Sequence, residues 1–323
     1  MANAILILAE ELRGQLSDIT FEMLGAGRKL ADALGIPLYA VLLGHEAGGL
    51  AGKLGVADKV FVVDNALLTM APADTLARAL AQLMKRQEAG MVWVGGTNVS
   101  IGIGSFLAAQ TGLPFVNYCR GVKASGGGVE LVSQLFGGKI LADVQLADAR
   151  GVVSISPGAF PTEAGKTDKA AVVEPVELAV ETPKSVFLKY IEPDTGDVDI
   201  TRQNVLVAVG RGMQTQDNLA LADDLAKALG GAVCASRPVI DQGWLPLSRQ
   251  VGKSGMSVKP RLYLALGISG APEHWEGMQG SQTIVAVNTD PKAPIFDGAH
   301  YGICGDALEL LPLLTDKVKA RKG

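Results

Sequence analysis

Ala4-Ile5-Leu6-Ile7-Leu8-Ala9, followed by Ser17-Asp18 and then by Ile19, Met23, Ala26, Leu30 and Leu34, with Gly35 and Pro37 behind them, is the stretch that decides the fold. The opening run is apolar throughout and short, as a strand buried on both faces requires. The later residues recur at helical spacing between a Ser/Asp start and a Gly/Pro stop. A buried strand feeding an amphipathic helix is the repeating half-unit of a doubly wound parallel sheet.

The same rhythm continues outward. Strands are expected at Leu38–Leu43, Lys59–Val63 and Met91–Val94, helices at Ala73–Gln87 and Gly102–Gln110, and Pro114–Asn117 offers a fifth strand. The pattern then changes. Arg120–Ala124 and Val129–Leu135 flank a Ser125-Gly126-Gly127-Gly128 turn and read as a β-hairpin, after which Ile140–Gln145 and Val152–Ile155 return toward the sheet.

From Pro157 to Asp199 the chain turns polar, and Pro157, Pro161, Pro175, Pro183 and Pro193 break any long element, so the domain crossing falls here, near residue 190. A second α/β unit starts with Val205–Val209, a Gly210-Arg211-Gly212 turn and a helix to about Leu229. Strands at Ala232–Ala235, Leu262–Leu266 and Thr283–Val287 follow, and a helix from about Asp306 to Lys319 ends it. The expected architecture is α/β with two doubly wound domains, residues 1–190 and 191–323.

Composition agrees with this. A length of 323 residues suits two such domains, and 48% hydrophobic content with only 5% aromatics and 40 glycines fits helix-covered parallel sheets rather than an all-β or disordered chain. The formal charge of -4, without a Lys/Arg block, argues against nucleic acid as a partner. Cys119, Cys234 and Cys304 are far apart and form no C-x-x-C pair, which supports neither a disulfide framework nor a zinc or iron–sulfur cage; all three are expected to pack as small hydrophobes in a reducing cytosol. No uninterrupted apolar span of about 18 residues occurs, so no membrane insertion and a cytoplasmic location are expected.

Most catalytic motifs fail on spacing. Gly165-Lys166-Thr167 resembles the end of a P-loop, but Phe160 stands where the first glycine belongs. Leu107 and Thr215 occupy the third glycine position behind Gly102/Gly104 and Gly210/Gly212. No Ser/His/Asp order or H-E-x-x-H helix emerges, and His45 and His300 read as ordinary histidines; His274 shares that plain alternative. The chemistry must therefore come from something bound.

Gly267-Ile268-Ser269-Gly270-Ala271 leaves an apolar strand and opens a short helix, an arrangement that frees backbone N–H groups and a hydroxyl for a pyrophosphate. Gly210-Arg211-Gly212, Ser236-Arg237-Pro238 and Gln250-Val251-Gly252-Lys253-Ser254-Gly255 repeat the pairing of turn and cation at or beyond strand ends. Open α/β sheets bind ligands at that edge, so a phosphorylated cofactor is favoured.

The run Ser236-Arg237-Pro238-Val239-Ile240-Asp241, Trp244-Leu245-Pro246 and Gln250–Gly255 resembles the flavin-binding signature of electron-transfer flavoprotein alpha subunits, the group that includes FixB proteins. Leu262–Ala271, His274, Gly277-Met278, Ile284–Pro291 and Ala293-Pro294-Ile295-Phe296 match that family in order and spacing. Ala9-Glu10, Ser17-Asp18, Gly95-Gly96-Thr97 and Pro157–Pro161 extend the likeness over the whole chain.

The resemblance implies an adenine-nucleotide-hydrolase-like N-terminal domain that pairs with a beta subunit, itself carrying AMP or a second FAD, and a C-terminal domain that carries FAD. It implies an electron carrier without substrate turnover of its own, taking electrons from flavoprotein dehydrogenases, such as the acyl-CoA dehydrogenases of fatty acid beta-oxidation, to a membrane quinone oxidoreductase or another acceptor. Two other readings stay open: a subunit of an NADH-dependent bifurcating complex, and a non-redox nucleotide-binding assembly module. Carried over by position, Arg211, Ser236, Arg237, Gln250, Val251, Gly252, Lys253 and Ser254 contact FAD, as do Ser269, Gly270, Ala271, Pro272, Glu273, His274, Asn288 and Asp306. Arg237, Ser254 and His274 would face the isoalloxazine, Arg237 stabilising negative charge, Ser254 serving N5 and His274 donating toward O2. Asn288 and Asp306 suit the adenosine end, and Arg211 with the Ser269–Ala271 backbone suits the phosphates.

The chain also departs from the family pattern. Glu273 stands where glutamine is usual, and Trp275 and Glu276 replace smaller or apolar residues. Asn98-Val99-Ser100-Ile101 replaces a Leu-Gly-Arg-Asp-like stretch, and Phe136-Gly137-Gly138-Lys139 matches only in part.

Overall fold

A computed structural model describes residues 2–190 and 198–322. The chain divides into two compact units, Met1–Lys189 and Tyr190–Gly323. Pro193, one of the expected breakers, lies outside the described residues.

The first unit opens with β1 (Ile5–Leu8), a small antiparallel ribbon of β2 (Glu11–Leu12) and β3 (Gln15–Leu16), and α1 (Asp18–Leu34). Ser17 is extended at the N-cap, Asp18 lies in the first turn, and Gly35 at φ 66° closes the helix by donating to the carbonyls of Ala31 and Asp32. Next come β4 (Leu38–Gly44), β5 (Lys59–Asp64), α2 (Ala73–Arg86), β6 (Met91–Gly95) and α3 (Ile103–Thr111). The remaining strands are β7 (Phe115–Ser125), β8 (Gly128–Leu135), β9 (Ile140–Ala147), β10 (Gly151–Ile155) and β11 (Val173–Pro175). Together they form one nine-stranded sheet in the order β11-β5-β4-β1-β6-β10-β7-β8-β9.

Strand alternation divides the core. Ile5 and Ile7 pack with Met23 and Leu30 of α1 on one face, whereas Leu6 and Leu8 pack with Leu80 and Leu83 of α2 on the other. Three features of this unit add to the sequence reading. The fifth strand and the first hairpin arm are one strand, β7, with an irregular register between Cys119 and Gly121 and a left-handed Tyr118 at φ 48°. β10 inserts in parallel between β6 and β7, because its five residues are buried on both faces and need a central position. The proline-rich crossing also supplies β11, an edge strand on β5, where Pro175 can be tolerated.

The second unit contains β12 (Val205–Val209), α4 (Leu219–Leu229), β13 (Ala232–Ala235), α5 (Arg237–Asp241), β14 (Leu262–Leu266), α6 (Pro272–Met278), β15 (Thr283–Asn288), β16 (Tyr301–Cys304) and α7 (Ala307–Lys322). Its five strands are all parallel, in the order β13-β12-β14-β15-β16. α4 and α7 cover one face through Leu225 and Leu311, and Met278 of α6 covers the other. The chain winds from β12 to β13 and then crosses to β14 on the other side, which makes the β12/β14 boundary the topological switch point.

β16 was not expected from the sequence, since it is exposed along its length. It also corrects the reading of the cysteines. Cys119 and Cys234 are buried, and burial pushes both thiols up to about 12, but Cys304 is exposed at the end of this edge strand.

Candidate functional site

All five strands of the second unit point their carboxyl ends to one edge, and the expected cofactor-binding residues gather there. Arg211 follows β12, Ser236 and Arg237 follow β13, Ser269–His274 follow β14, Asn288 ends β15, and Asp306 lies just beyond β16. Gln250–Ser254 is remote in sequence but is stitched to the same edge, because the Val251 N–H donates to the Ala235 carbonyl at 2.9 Å.

Backbone crowding at the switch point explains three of the glycines. The Gly212 N–H donates to Gly267 O at 3.1 Å, and a Cβ on Gly212 would lie 2.6 Å from the Gly267 Cα. Gly267 itself sits at φ 61°. The turns after β12 and β14 are therefore in direct main-chain contact, so Arg211, between Gly210 and Gly212, belongs to the turn that lies on Gly267 and Ile268, the residues leading into Ser269–Ala271. The segment is held from behind, since the Ile295 N–H donates to Ser269 O and a Cβ on Gly270, at φ 89°, would collide with the Ile295 backbone.

What this edge leaves unsatisfied suits a dinucleotide. Among the described residues the N–H groups of Ser269 and Gly270 have no acceptor. Ser236 is buried at the N-cap of α5, and its hydroxyl likewise has no partner among the described residues. Arg211 is exposed. Two free N–H groups beside a guanidinium at a switch point form an anion cradle. The residues present thus fit the phosphates of FAD, with the β13 side of the edge left for a ring system.

On that side, Arg237 is exposed and its Nε lies 3.4 Å from Asp241 Oδ2 one helical turn away, with side chains 67% and 62% exposed. So open a pair holds the guanidinium weakly and leaves it available. The Ser254 hydroxyl accepts from Gln250 Nε2 at 2.9 Å, so its own proton remains free to donate. Lys253 donates its N–H to Glu273 O at 2.7 Å, and its ammonium lies 3.9 Å from Glu276. Two of the departures are thereby accounted for: Glu276 faces Lys253, and the Trp275 indole lies on Gly298, where any Cβ would meet it.

Three expected ligands are partly committed within the protein. Asn288 donates to Ile268 O and accepts from Asp290 N, both at 2.9 Å, so it braces the turn. Asp306 accepts from Leu308 N at 2.9 Å, capping α7. His274 differs most from expectation. Its imidazole is buried and turned inward, with Nδ1 3.1 Å from Val251 O and Nε2 3.0 Å from the Tyr263 hydroxyl, and burial lowers it to about 4. With both nitrogens occupied it has no spare N–H to donate toward O2. Tyr263 was missed by sequence reasoning, since a tyrosine inside an apolar strand carries no functional signal.

Elsewhere the P-loop-like segment is structural. A Cβ on Gly165 would collide with the Phe21 carbonyl, and Lys166 pairs with Glu163. No group of three or more His, Cys, Asp or Glu that could hold a metal occurs among the described residues, and no helix among them is long and apolar enough to cross a membrane.

Comparison with known proteins places both units in one family. Residues 5–181 match the electron transfer flavoprotein domain, and residues 199–279 match the electron transfer flavoprotein FAD-binding domain. Protein FixB of Clostridium saccharobutylicum is 35% identical, the alignment covering 98% of this chain and 96% of that protein. The electron transfer flavoprotein subunit alpha of Thermoanaerobacterium thermosaccharolyticum is 34% identical, with 98% of each covered. Subunit LctC of the lactate dehydrogenase (NAD(+),ferredoxin) of Acetobacterium woodii is 33% identical, with 98% of this chain and 77% of that protein covered.

Proposed function

The chain belongs to the electron-transfer flavoprotein alpha (FixB) family, with an FAD-binding C-terminal domain, and from that premise we propose that it accepts electrons from a flavoprotein dehydrogenase and hands them to a quinone oxidoreductase or another acceptor. Bound FAD supplies a store for one or two electrons. The protein's own residues bind the cofactor and tune it. Arg211 and the free N–H groups of Ser269 and Gly270 hold the phosphates, with Ser236 close by at the next strand end. Arg237 offers positive charge where reduction accumulates negative charge, and Ser254 offers a hydroxyl proton to the ring. Asp306 and Asn288 close the adenosine end. The N-terminal unit, Met1–Lys189, pairs with a beta-type subunit that holds AMP or a second FAD.

The observation that carries this reading is the pair of unused N–H groups at Ser269 and Gly270 beside Arg211 at the switch point. The likeness to LctC favours a second reading, a subunit of a bifurcating complex that uses NADH. Anaerobic titration of the purified complex with NADH, together with a count of FAD, separates the two. One FAD, not bleached by NADH, is the expected result for a carrier. Two FAD with direct bleaching would replace that reading by bifurcation, and a colourless protein after loading with FAD would sink both.

A further inference from the structure

His274 is buried beneath the Gln250–Ser254 loop, and each ring nitrogen has one neighbour, Val251 O at Nδ1 and the Tyr263 hydroxyl at Nε2. A carbonyl can only accept, so the hydrogen sits on Nδ1. In the neutral ring Nε2 then has only a lone pair, and Tyr263 donates to it. Heavy-atom geometry alone therefore selects one tautomer. Tyr263 is fully buried on β14, its ring tilted 56° to the imidazole, and the next polar atom beyond its hydroxyl is Cys234 Sγ at 4.0 Å.

The hydrogen bond to Val251 supports a loop of unusual shape. Gly252 sits at φ 138°, and a Cβ there would lie 2.9 Å from Glu273 O. Lys253 N–H donates to Glu273 O, and Val258 N–H donates to Gly277 O, so the loop is zipped onto α6 by main-chain contacts. Side chains add the bond from His274 to Val251 O and the long, partly exposed Lys253–Glu276 pair at 3.9 Å, of which only the first is buried.

We infer that Tyr263 is a positioning residue for the flavin site: by donating to His274 Nε2 it locks the imidazole in one plane and tautomer, which keeps the Val251 carbonyl engaged and the Gln250–Ser254 loop in the form that presents Ser254. The inference rests on the reading of that loop as a flavin contact.

Charged and titratable groups surround the imidazole without bonding to it. Glu273 and Glu276 flank it on α6, Lys253 comes from the loop, Cys234 lies beyond Tyr263, and Arg249 donates to Val233 O below. Burial drives His274 down to about 4 and the Tyr263 phenol well above its ordinary value. Neither group changes charge between about pH 5.5 and about pH 8, so the locked arrangement persists across that range.

The chain has three histidines, so nitrogen-15 imidazole spectra of the full-length, FAD-loaded protein yield three patterns, and His274→Gln identifies the relevant one. The expected pattern is an Nδ1–H tautomer unchanged from about pH 5.5 to about pH 8. Tyr263→Phe is expected to mix the tautomers and to release FAD at least about tenfold faster, followed by recovery of flavin fluorescence. Cys234→Ala, which alters the other side of Tyr263, leaves both readouts as in wild type. An Nε2–H pattern or a titration inside that range overturns the inference on wild-type protein alone, even if Tyr263→Phe fails to fold. Tyr263→Phe with wild-type tautomer or wild-type release overturns it too. Wild-type protein that retains no FAD sinks the underlying reading of the site, an outcome distinct from a flavin-loaded protein with an unlocked tautomer.

Discussion

The two sheets end in carboxyl edges of opposite character. In the first unit Glu10, just after β1, is buried and accepts hydrogen bonds from the hydroxyls of Thr97 and, at 2.6 Å, of Ser100. Its own N–H is taken by the Thr20 hydroxyl at 2.7 Å. Ser100 belongs to the stretch that departs from the family pattern, so here the departure serves to knot β1, β6 and the approach to α3 together. In the second unit the corresponding edge keeps two N–H groups, the hydroxyl of Ser236 and an exposed guanidinium uncommitted among the described residues. The same winding of strand and helix yields a tied edge in one unit and an open one in the other. The difference lies in whether polar groups at the strand ends satisfy one another or wait for a ligand.

Paired substitutions put the largest strain on this contrast. Gly270→Ala, at φ 89° against the Ile295 backbone, is expected to lower FAD affinity by at least about a hundredfold and to cost about 1–3 kcal/mol. Glu10→Ala orphans two hydroxyls and is expected to cost about 2–4 kcal/mol in urea unfolding with FAD content unchanged. If the second substitution strips the flavin and the first does not, the contrast is reversed and the candidate site is misplaced.

A smaller effect sharpens the comparison through pH. Burial depresses His274 from 6.5 to about 4, so as pH falls through 6.5 the unfolded chain takes up the proton first. Its contribution is fully present above about pH 6.5 and lost by about pH 4, a change of about 3 kcal/mol confined to the second unit. Urea titrations at both limits should show the loss in wild type, and the same comparison in His274→Gln should lack that increment. Depressed carboxylates such as Asp58 and Asp199 lose their contributions at lower pH and are common to both proteins.

The smallest expected change concerns tuning rather than binding. Arg237→Ala should retain FAD while moving the first reduction potential down by about 60 mV, the low end for a charge-assisted hydrogen bond of about 1.5 kcal/mol. Spectroelectrochemical titration measures it. An unchanged potential would mean that Asp241, not the cofactor, is the real partner of this guanidinium.

The strands of both sheets were legible because a parallel strand buried on both faces must be a short apolar run, and Val205–Val209, Ala232–Ala235 and Leu262–Leu266 coincide in sequence and structure. Glycine and cation pairs after those runs were legible for a related reason, since the carboxyl edge is where the chain turns. β16 was hidden because an exposed edge strand needs no apolar pattern, and the same exposure overturned the expectation for Cys304.

Composition and spacing by themselves determined two α/β units and the strand ends at which the candidate residues lie, and the runs Ser236–Asp241, Gln250–Gly255 and Leu262–Ala271 carried a family resemblance that the FAD-binding domain match then supported. Tertiary structure alone decided that β10 lies between β6 and β7, that Gln250–Ser254 joins the edge of β13, and that His274 turns inward to Tyr263. Those are contacts between residues far apart in the chain. Local pattern records whether a residue wants burial or a turn, but not which distant donor or acceptor will meet it there.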